Sequence, residues 1–331
     1  MGTISDFESA LRPLFTGIFG SDAVLQQHKR LSGGASQETW ALSGSGHEAI
    51  LRRAPGGTSA ARSSAAIGLP AEAVLIAAAE ATGVPVPKVL HVLQNKDNLG
   101  DGFVMSRVHG ETIARPILRD ETFATARAAL PAQCGEALVA IHAIPTGNLP
   151  DVISVSGGLD QIAQYEEIYR SFDVPRPVFE LALQWLKANA PEPLKPVLVH
   201  GDFRLGNLMV DESGLVAVLD WELAHLGDPR EDIAWICVNS WRFGQSQNRV
   251  GGFGQLEDLL AAYNQASGQA FTIKDIDWWE MLGTLKWGIM CMIMYEAFRS
   301  GADPSVERAA IGRRVSETEI DLINLLEAAH A

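Results

Sequence analysis

The chain has 331 residues, enough for roughly two domains of about 150 residues each. Hydrophobic residues make up 47% and charged residues 20%, a balance that excludes a disordered, collagenous or coiled-coil chain. The 26 Lys and Arg against 40 Asp and Glu leave a net charge of −14, which argues against nucleic acid and against an anionic membrane surface as partners.

In chain order, Ser5–Phe19 has helical spacing through Phe7, Leu11, Leu14, Phe15 and Ile18. His28–Leu31 and Glu38–Leu42 read as short strands either side of Ser32-Gly33-Gly34-Ala35-Ser36. Ser43-Gly44-Ser45-Gly46 is a turn before a third strand, Glu48–Arg53. Ala54–Gly68 reads as a loop, and Pro70–Ala81 as a helix with proline in its first turn. Val89–Leu93 and Gly102–Val108 complete five strands with one inserted helix.

After Gly110 the pattern turns helical. Ala124–Ile144 reads as a helix broken at Pro131, and Gly158–Phe172 and Pro177–Ala190 as two more. Pro196–His200 is a short apolar strand. Asn207–Val210 and Leu215–Leu219 form a hairpin around Glu212-Ser213-Gly214. Helices resume at Asp228-Pro229-Arg230-Glu231, with Asp as cap and Pro in the first position. Asp303-Pro304 reads as another helix start. The fold class expected is α+β, with residues 1–107 a small sheet lobe and 108–331 a larger, mainly helical lobe.

Cys134, Cys237 and Cys291 are odd in number and far apart. That pattern predicts neither a zinc ribbon nor a disulfide framework, and it fits a reducing, cytoplasmic setting. Asp6 and Glu8 near the N-terminus lack the basic start of a secretory leader. The most apolar stretch, around Trp287–Met294, is too short to span a bilayer.

Phosphate-loop, dinucleotide, HExxH and GxSxG motifs are all missing. The informative window is 197–222. An apolar strand delivers Asp202 onto a loop. Five residues later comes an amide, Asn207, at the start of the hairpin, and the hairpin's second strand ends in another acid, Asp220. That pattern gathers one carboxylate able to orient a hydroxyl and two oxygen donors suited to Mg²⁺. Phosphoryl transfer needs these parts, since its catalysis is mostly positioning and charge neutralisation. His200 reads as a residue that holds the loop, and Asp228 and Asp232 as cap and loop brace.

His200-Gly201-Asp202…Asn207 followed by Asp220-Trp221-Glu222 resembles the catalytic and metal-binding segments of the aminoglycoside phosphotransferase-like kinases. The resemblance covers nearly the whole chain and implies a two-lobed protein-kinase-like fold, ATP or GTP with Mg²⁺, and a small-molecule hydroxyl acceptor for a monomer or homodimer. It implies that Asp202 faces the acceptor hydroxyl, that Asn207 and Asp220 hold the metal, and that Arg204 lies near the transferred phosphate. On the nucleotide side it implies a phosphate-facing residue on the third strand, where Arg52 stands in place of the usual Lys, with Glu72 as its partner. Strand alternation puts Ile50 on the same face as Arg52, where it would line the base pocket. Arg53 on the opposite face is expected to be a solvated strand-end charge. The loop with Ser32, Gly33 and Gly34 would cover the phosphates. The backbone from Met105 through Arg107 would form the hinge that pairs with the base.

The helical lobe should hold the acceptor. It carries Trp235, Trp241, Trp278, Trp279 and Trp287 and six arginines, Arg242, Arg249, Arg299, Arg308, Arg313 and Arg314. Trp241-Arg242-Phe243-Gly244…Gly251-Gly252 and Gly312-Arg313-Arg314 look like the kinase domains associated with acyl-CoA dehydrogenases, which implies a hydroxyacyl-CoA acceptor. A protein kinase is disfavoured, because activation-segment signatures are missing after Glu222. The other reading that stays open is a catalytically silent kinase fold that binds nucleotide or a partner.

Overall fold

The computed structural model describes residues 4–31, 37–55 and 66–330. Helix α1 (Ile4–Phe19) precedes strands β1 (Gln27–Arg30), β2 (Glu38–Gly44) and β3 (His47–Arg53). Helix α2 (Leu69–Ala81) is followed by β4 (Val89–Val92) and β5 (Gly102–Ser106). The five strands pair antiparallel in the order β1-β2-β3-β5-β4. Ser45 and Gly46 both have positive φ, the backbone of a tight two-residue hairpin whose twist matches its strands.

Alternation along β3 divides the lobe into two faces. Ala49 and Leu51 join Leu42, Val104 and the apolar stripe of α1, Leu11, Leu14 and Phe15, in one core cluster. Ile50 joins Phe103, Met105 and the buried residues of α2 in a second cluster continuous with the helical lobe. The register sets Ile50 opposite Met105 and Arg52 opposite Phe103. Arg53 is not a solvated strand end. Its guanidinium pairs with Glu38 at 2.7 Å and lies 4.1 Å above the Phe7 ring, because the face it shares with α1 is packed rather than open.

Beyond β5 the chain crosses to the second lobe at Glu111, which exchanges two backbone hydrogen bonds with Val210. That lobe holds α3 (Ala114–Arg119), α4 (Ala124–His142), α5 (Gly158–Ser171) and α6 (Pro177–Ala188). Short strands β6 (Val197–Val199), β7 (Leu208–Asp211), β8 (Gly214–Val218) and β9 (His225–Gly227) follow. Helices α7 (Arg230–Trp235), α8 (Leu256–Ser267), α9 (Ile273–Arg299), α10 (Val306–Gly312) and α11 (Val315–His330) complete the chain. Helix α9 is the axle, packed by α5, α6, α7, α10 and α11, with both Trp278 and Trp279 buried.

Several expectations are corrected. Helix α4 runs through Pro131 without a break. Pro131 is buried there, where its ring leaves room only for a glycine at Gly254, and packing against α8 holds both halves in line. Asp303-Pro304 does not start α10. The cap is Ser305, whose hydroxyl accepts from the Arg308 N–H, while Asp303 pairs with the Arg308 side chain. Strand β9, which pairs with β6, and helix α3 are additions that the sequence reading lacked. The three cysteines are buried and unpaired. Among the described residues no helix is long and apolar enough to cross a membrane.

Candidate active site

The loop after β6 is held from beneath by α7. The Asp232 carboxylate is fully buried and accepts the backbone N–H groups of His200 at 2.7 Å and Gly201 at 2.9 Å. Gly201 has a φ of 77°, and a Cβ there would sit 2.3 Å from the Leu223 carbonyl oxygen, so only glycine fits. Burial keeps the His200 imidazole below its ordinary pKa, against the pull of Asp232, Asp202 and Asp220. Its Nδ1 accepts from the Asp202 N–H at 3.2 Å and its Nε2 bonds the Leu219 carbonyl at 3.1 Å. That network assigns a neutral ring with the proton on Nε2. Asp228 accepts both the backbone N–H and the guanidinium of Arg230. The brace is therefore as the sequence reading has it, but the cap is not: Pro229 and not Asp228 is the residue that precedes the first turn of α7, and Asp228, one residue earlier, anchors Arg230 instead.

Asp202 is thereby presented with 14% of its side chain accessible. Its Oδ1 accepts from the indole N–H of Trp235 at 2.7 Å and from Arg204 Nε at 3.0 Å. Its Oδ2 accepts from Asn207 Nδ2 at 2.6 Å. Asn207 sits in a 3₁₀ turn just before β7 rather than in the strand, and with Nδ2 committed to Asp202, Oδ1 is the end left to ligate. The Leu219 N–H donates to the Asn207 carbonyl at 2.8 Å, which brings Asp220 beside Asn207. Asp220 has a φ of 67°, uncommon for a residue with a Cβ, and is 35% accessible.

The small lobe meets these acids through Arg52. One arm pairs with Glu72 at 2.9 Å and another with Asp220 at 3.1 Å, while Nε donates to Gln37. Burial works against the Arg52 charge, but Glu72 and Asp220 outweigh it and raise its pKa. Gln37 Nε2 in turn donates to Glu222 at 3.0 Å, and the Ile67 N–H donates to the Glu222 carbonyl. So β3, α2 and the acid-bearing segment after β8 converge on one cleft.

The family model described as the phosphotransferase enzyme family matches residues 27–276. The chain belongs to this phosphotransferase family. The mouse acyl-CoA dehydrogenase family member 10 is 27% identical over 238 residues, 70% of this chain but 22% of the mouse protein. The chain thus spans about a fifth of the length of that relative. A crystal structure of a candidate aminoglycoside phosphotransferase from Ralstonia eutropha superposes with a TM-score of 0.74 at 21% identity, covering 97% of this chain and 98% of the other. An aminoglycoside phosphotransferase crystallised with AMP-PNP and hygromycin B gives 0.63 at 16% identity, over 97% and 99% of the two chains. The fold is the two-lobed, protein-kinase-like one.

Within this phosphotransferase, the structure brings together Asp202, Arg204, Asn207, Asp220, Arg52 and Glu72. Ile50 and Met105 face each other in the sheet on the Arg52 face. The Arg107 side chain is directed elsewhere, to an ion pair with Glu48 at 2.8 Å. Ser32, Gly33 and Gly34 lie outside the described residues. The six arginines do not gather at one site. Arg242 and Arg249 both clamp Glu280, and Arg299, Arg308 and Arg314 pair with Glu296, Asp303 and Glu317.

Gln37 and the Trp235 donor were missed. A lone glutamine carries no sequence signal. Trp235 lies three residues after Asp232, close enough on one helix to reach the same loop. A cavity of about 280 Å³ is lined by Gly201, which precedes Asp202 in the chain, by Trp235, which donates to it, and by His225, Glu231 and Lys286. For the metal, Asn207 and Asp220 offer hard oxygen donors, and among the described residues no group of three His, Cys, Asp or Glu could hold a cation alone. That sparse set fits Mg²⁺, which keeps waters and takes phosphate oxygens alongside one or two protein ligands.

Proposed function

We propose that this phosphotransferase moves the γ-phosphoryl group of ATP or GTP onto the hydroxyl of a small molecule. Residues 1–107 hold the nucleotide and 108–331 the acceptor. Asp202 accepts the hydroxyl hydrogen bond and takes the proton as the acceptor oxygen bonds to phosphorus. The bond to the β,γ-bridging oxygen breaks, and the nucleoside diphosphate leaves. Arg52, steadied by Glu72, binds the nucleotide phosphates, and Arg204 faces the transferred group. Ile50 and Met105 line the base pocket, with the backbone of Met105 and Arg107 at its edge. Asn207 and Asp220 hold Mg²⁺, which supplies charge neutralisation when bound.

The observation that carries this reading is the Asp202 carboxylate, fixed by Trp235, Arg204 and Asn207 and still reachable, with Asp220 beside it. The acceptor sits in the cavity next to Asp202. The relative's name refers to acyl-CoA, and a kinase needs a hydroxyl to phosphorylate, so an acyl-CoA that carries a hydroxyl is the first compound to test. A second reading, a silent kinase fold, is favoured by one contact: Arg52, which replaces the usual lysine, already occupies Asp220 Oδ1. A screen of Mg²⁺-dependent ATP and GTP consumption against hydroxyacyl-CoA, sugars, choline and aminoglycosides separates the two. Acceptor-stimulated consumption supports the kinase. Nucleotide binding with no turnover by any acceptor supports the silent fold.

A further inference from the structure

The cavity beside Asp202 has an unusual charge arrangement for a kinase that would take a polycation. Burying an ammonium group requires a carboxylate partner, because an unpaired charge out of water is costly. The one carboxylate on the cavity wall is Glu231, and it is already taken. Lys286 Nζ donates to Glu231 Oε1 at 3.0 Å and to Gln161 Oε1 at 2.6 Å. His225 and the Gln161 amide occupy the other Glu231 oxygen, at 3.2 and 2.7 Å. The ammonium also lies 5.5 Å from the ring centres of both Tyr165 and Trp235.

The same Trp235 donates to Asp202, so the positive charge stands one side chain away from the acid that would face the acceptor. Burial works against the Lys286 charge, but Glu231 outweighs it and raises the pKa.

We propose that Lys286 makes this cavity select against ammonium-bearing acceptors, so that the part of the hydroxyl compound entering it is uncharged or anionic. The inference rests on the kinase reading for the word acceptor, but the electrostatics can be tested without turnover. Choline and kanamycin are titrated calorimetrically into the full chain, without nucleotide, using the parent, Lys286→Met and Lys286→Arg. Methionine keeps the packing against Tyr165 and Trp235 and releases Glu231, while arginine keeps the charge.

The expected result is that Lys286→Met binds choline at least about tenfold more tightly than the parent and that Lys286→Arg does not. If melting shows that Lys286→Met is unfolded, Lys286→Gln, which can still donate to Glu231, takes its place with the same expectation in direction. A parent that binds both cations as tightly as the charge-removed variant would overturn the proposal. In a parallel arm the parent is given Mg·ATP with each cation and with 4-hydroxybutyrate. Preferential turnover of choline or kanamycin would also overturn it. Consumption of nucleotide with none of them, beside the expected binding pattern, would count against the kinase reading alone.

Discussion

Asp202 owes its orientation to donors from three directions, and each can be removed separately. Asp202→Asn keeps the shape but loses the charge and the proton acceptance. Turnover should fall by about 10²-fold, in the range of a general base, with ATP affinity little changed and a modest loss of melting temperature, because the new amide NH₂ must face one of the donors that meet Oδ1 and Oδ2. A large loss of melting temperature with normal specific activity in the folded fraction would make Asp202 a turn-former instead. Trp235→Phe keeps an aromatic ring, though a smaller one, and deletes one donor. It should lower kcat about tenfold, the worth of a charged hydrogen bond, while leaving KM for ATP unmoved. Equal kcat in parent and variant would remove Trp235 from the positioning of Asp202. On β3, Arg52→Ala should weaken nucleotide use far more than Arg53→Ala, because Arg53 is committed to Glu38 and Phe7 on the opposite face. Titrating ATP into both variants checks this, and a larger effect at Arg53 would contradict it.

At the scale of elements, the short helix α7 does most of the organising. Glu231 and Trp235, four residues apart, line the cavity, while Asp232 faces the loop. Asp232→Ala would leave two backbone donors unpaired, with His142 also losing one of its two partners, at 3.3 Å. Denaturant unfolding should show a loss of about 3 kcal/mol. His225 adds a pH signature. Burial opposes its charge, but Glu231 outweighs this and raises its pKa. Its stabilising contribution is therefore fully present below about 6.5 and is lost as pH rises through the higher folded value. The stability gap between the parent and His225→Gln should be wider at about pH 5.5 than at about pH 8.5, and a gap that widens with pH would contradict the assignment.

The elements that the sequence made legible were those with a sustained period. β3 and α1 repeat long enough for one face to be read, while α2 is legible as a run of helix formers with proline in its first turn. Strand β9 has three residues and no period, and it becomes a strand only because β6 lies beside it. Pro131 reads as a break because the local cost of proline is visible in sequence, while the α8 packing that overrides it is not. The acids of the site were legible for a different reason: Asp202, Asn207 and Asp220 lie within one short window around a hairpin. Gln37 and Trp235 reach the same site from other elements, and that convergence exists only in three dimensions.

For the whole molecule, the two lobes are joined at the point where the chemistry would occur. Arg52–Asp220 and Gln37–Glu222 cross the cleft, so a nucleotide whose phosphates engage Arg52 must compete with Asp220 for it. If Asp220 holds Mg²⁺ as proposed, its carboxylate would let go of Arg52 as the guanidinium turns to phosphate, two exchanges that need each other. Nucleotide and metal should therefore bind with positive coupling, each tightening the other by the same factor. The decisive comparison is nucleotide consumption by the parent and by Asp220→Ala, with and without Mg²⁺, across the panel of hydroxyl compounds. Turnover in the parent should be stimulated by an acceptor, need Mg²⁺ and be abolished in a folded Asp220→Ala. Near-normal Mg²⁺-dependent turnover in that variant would contradict this.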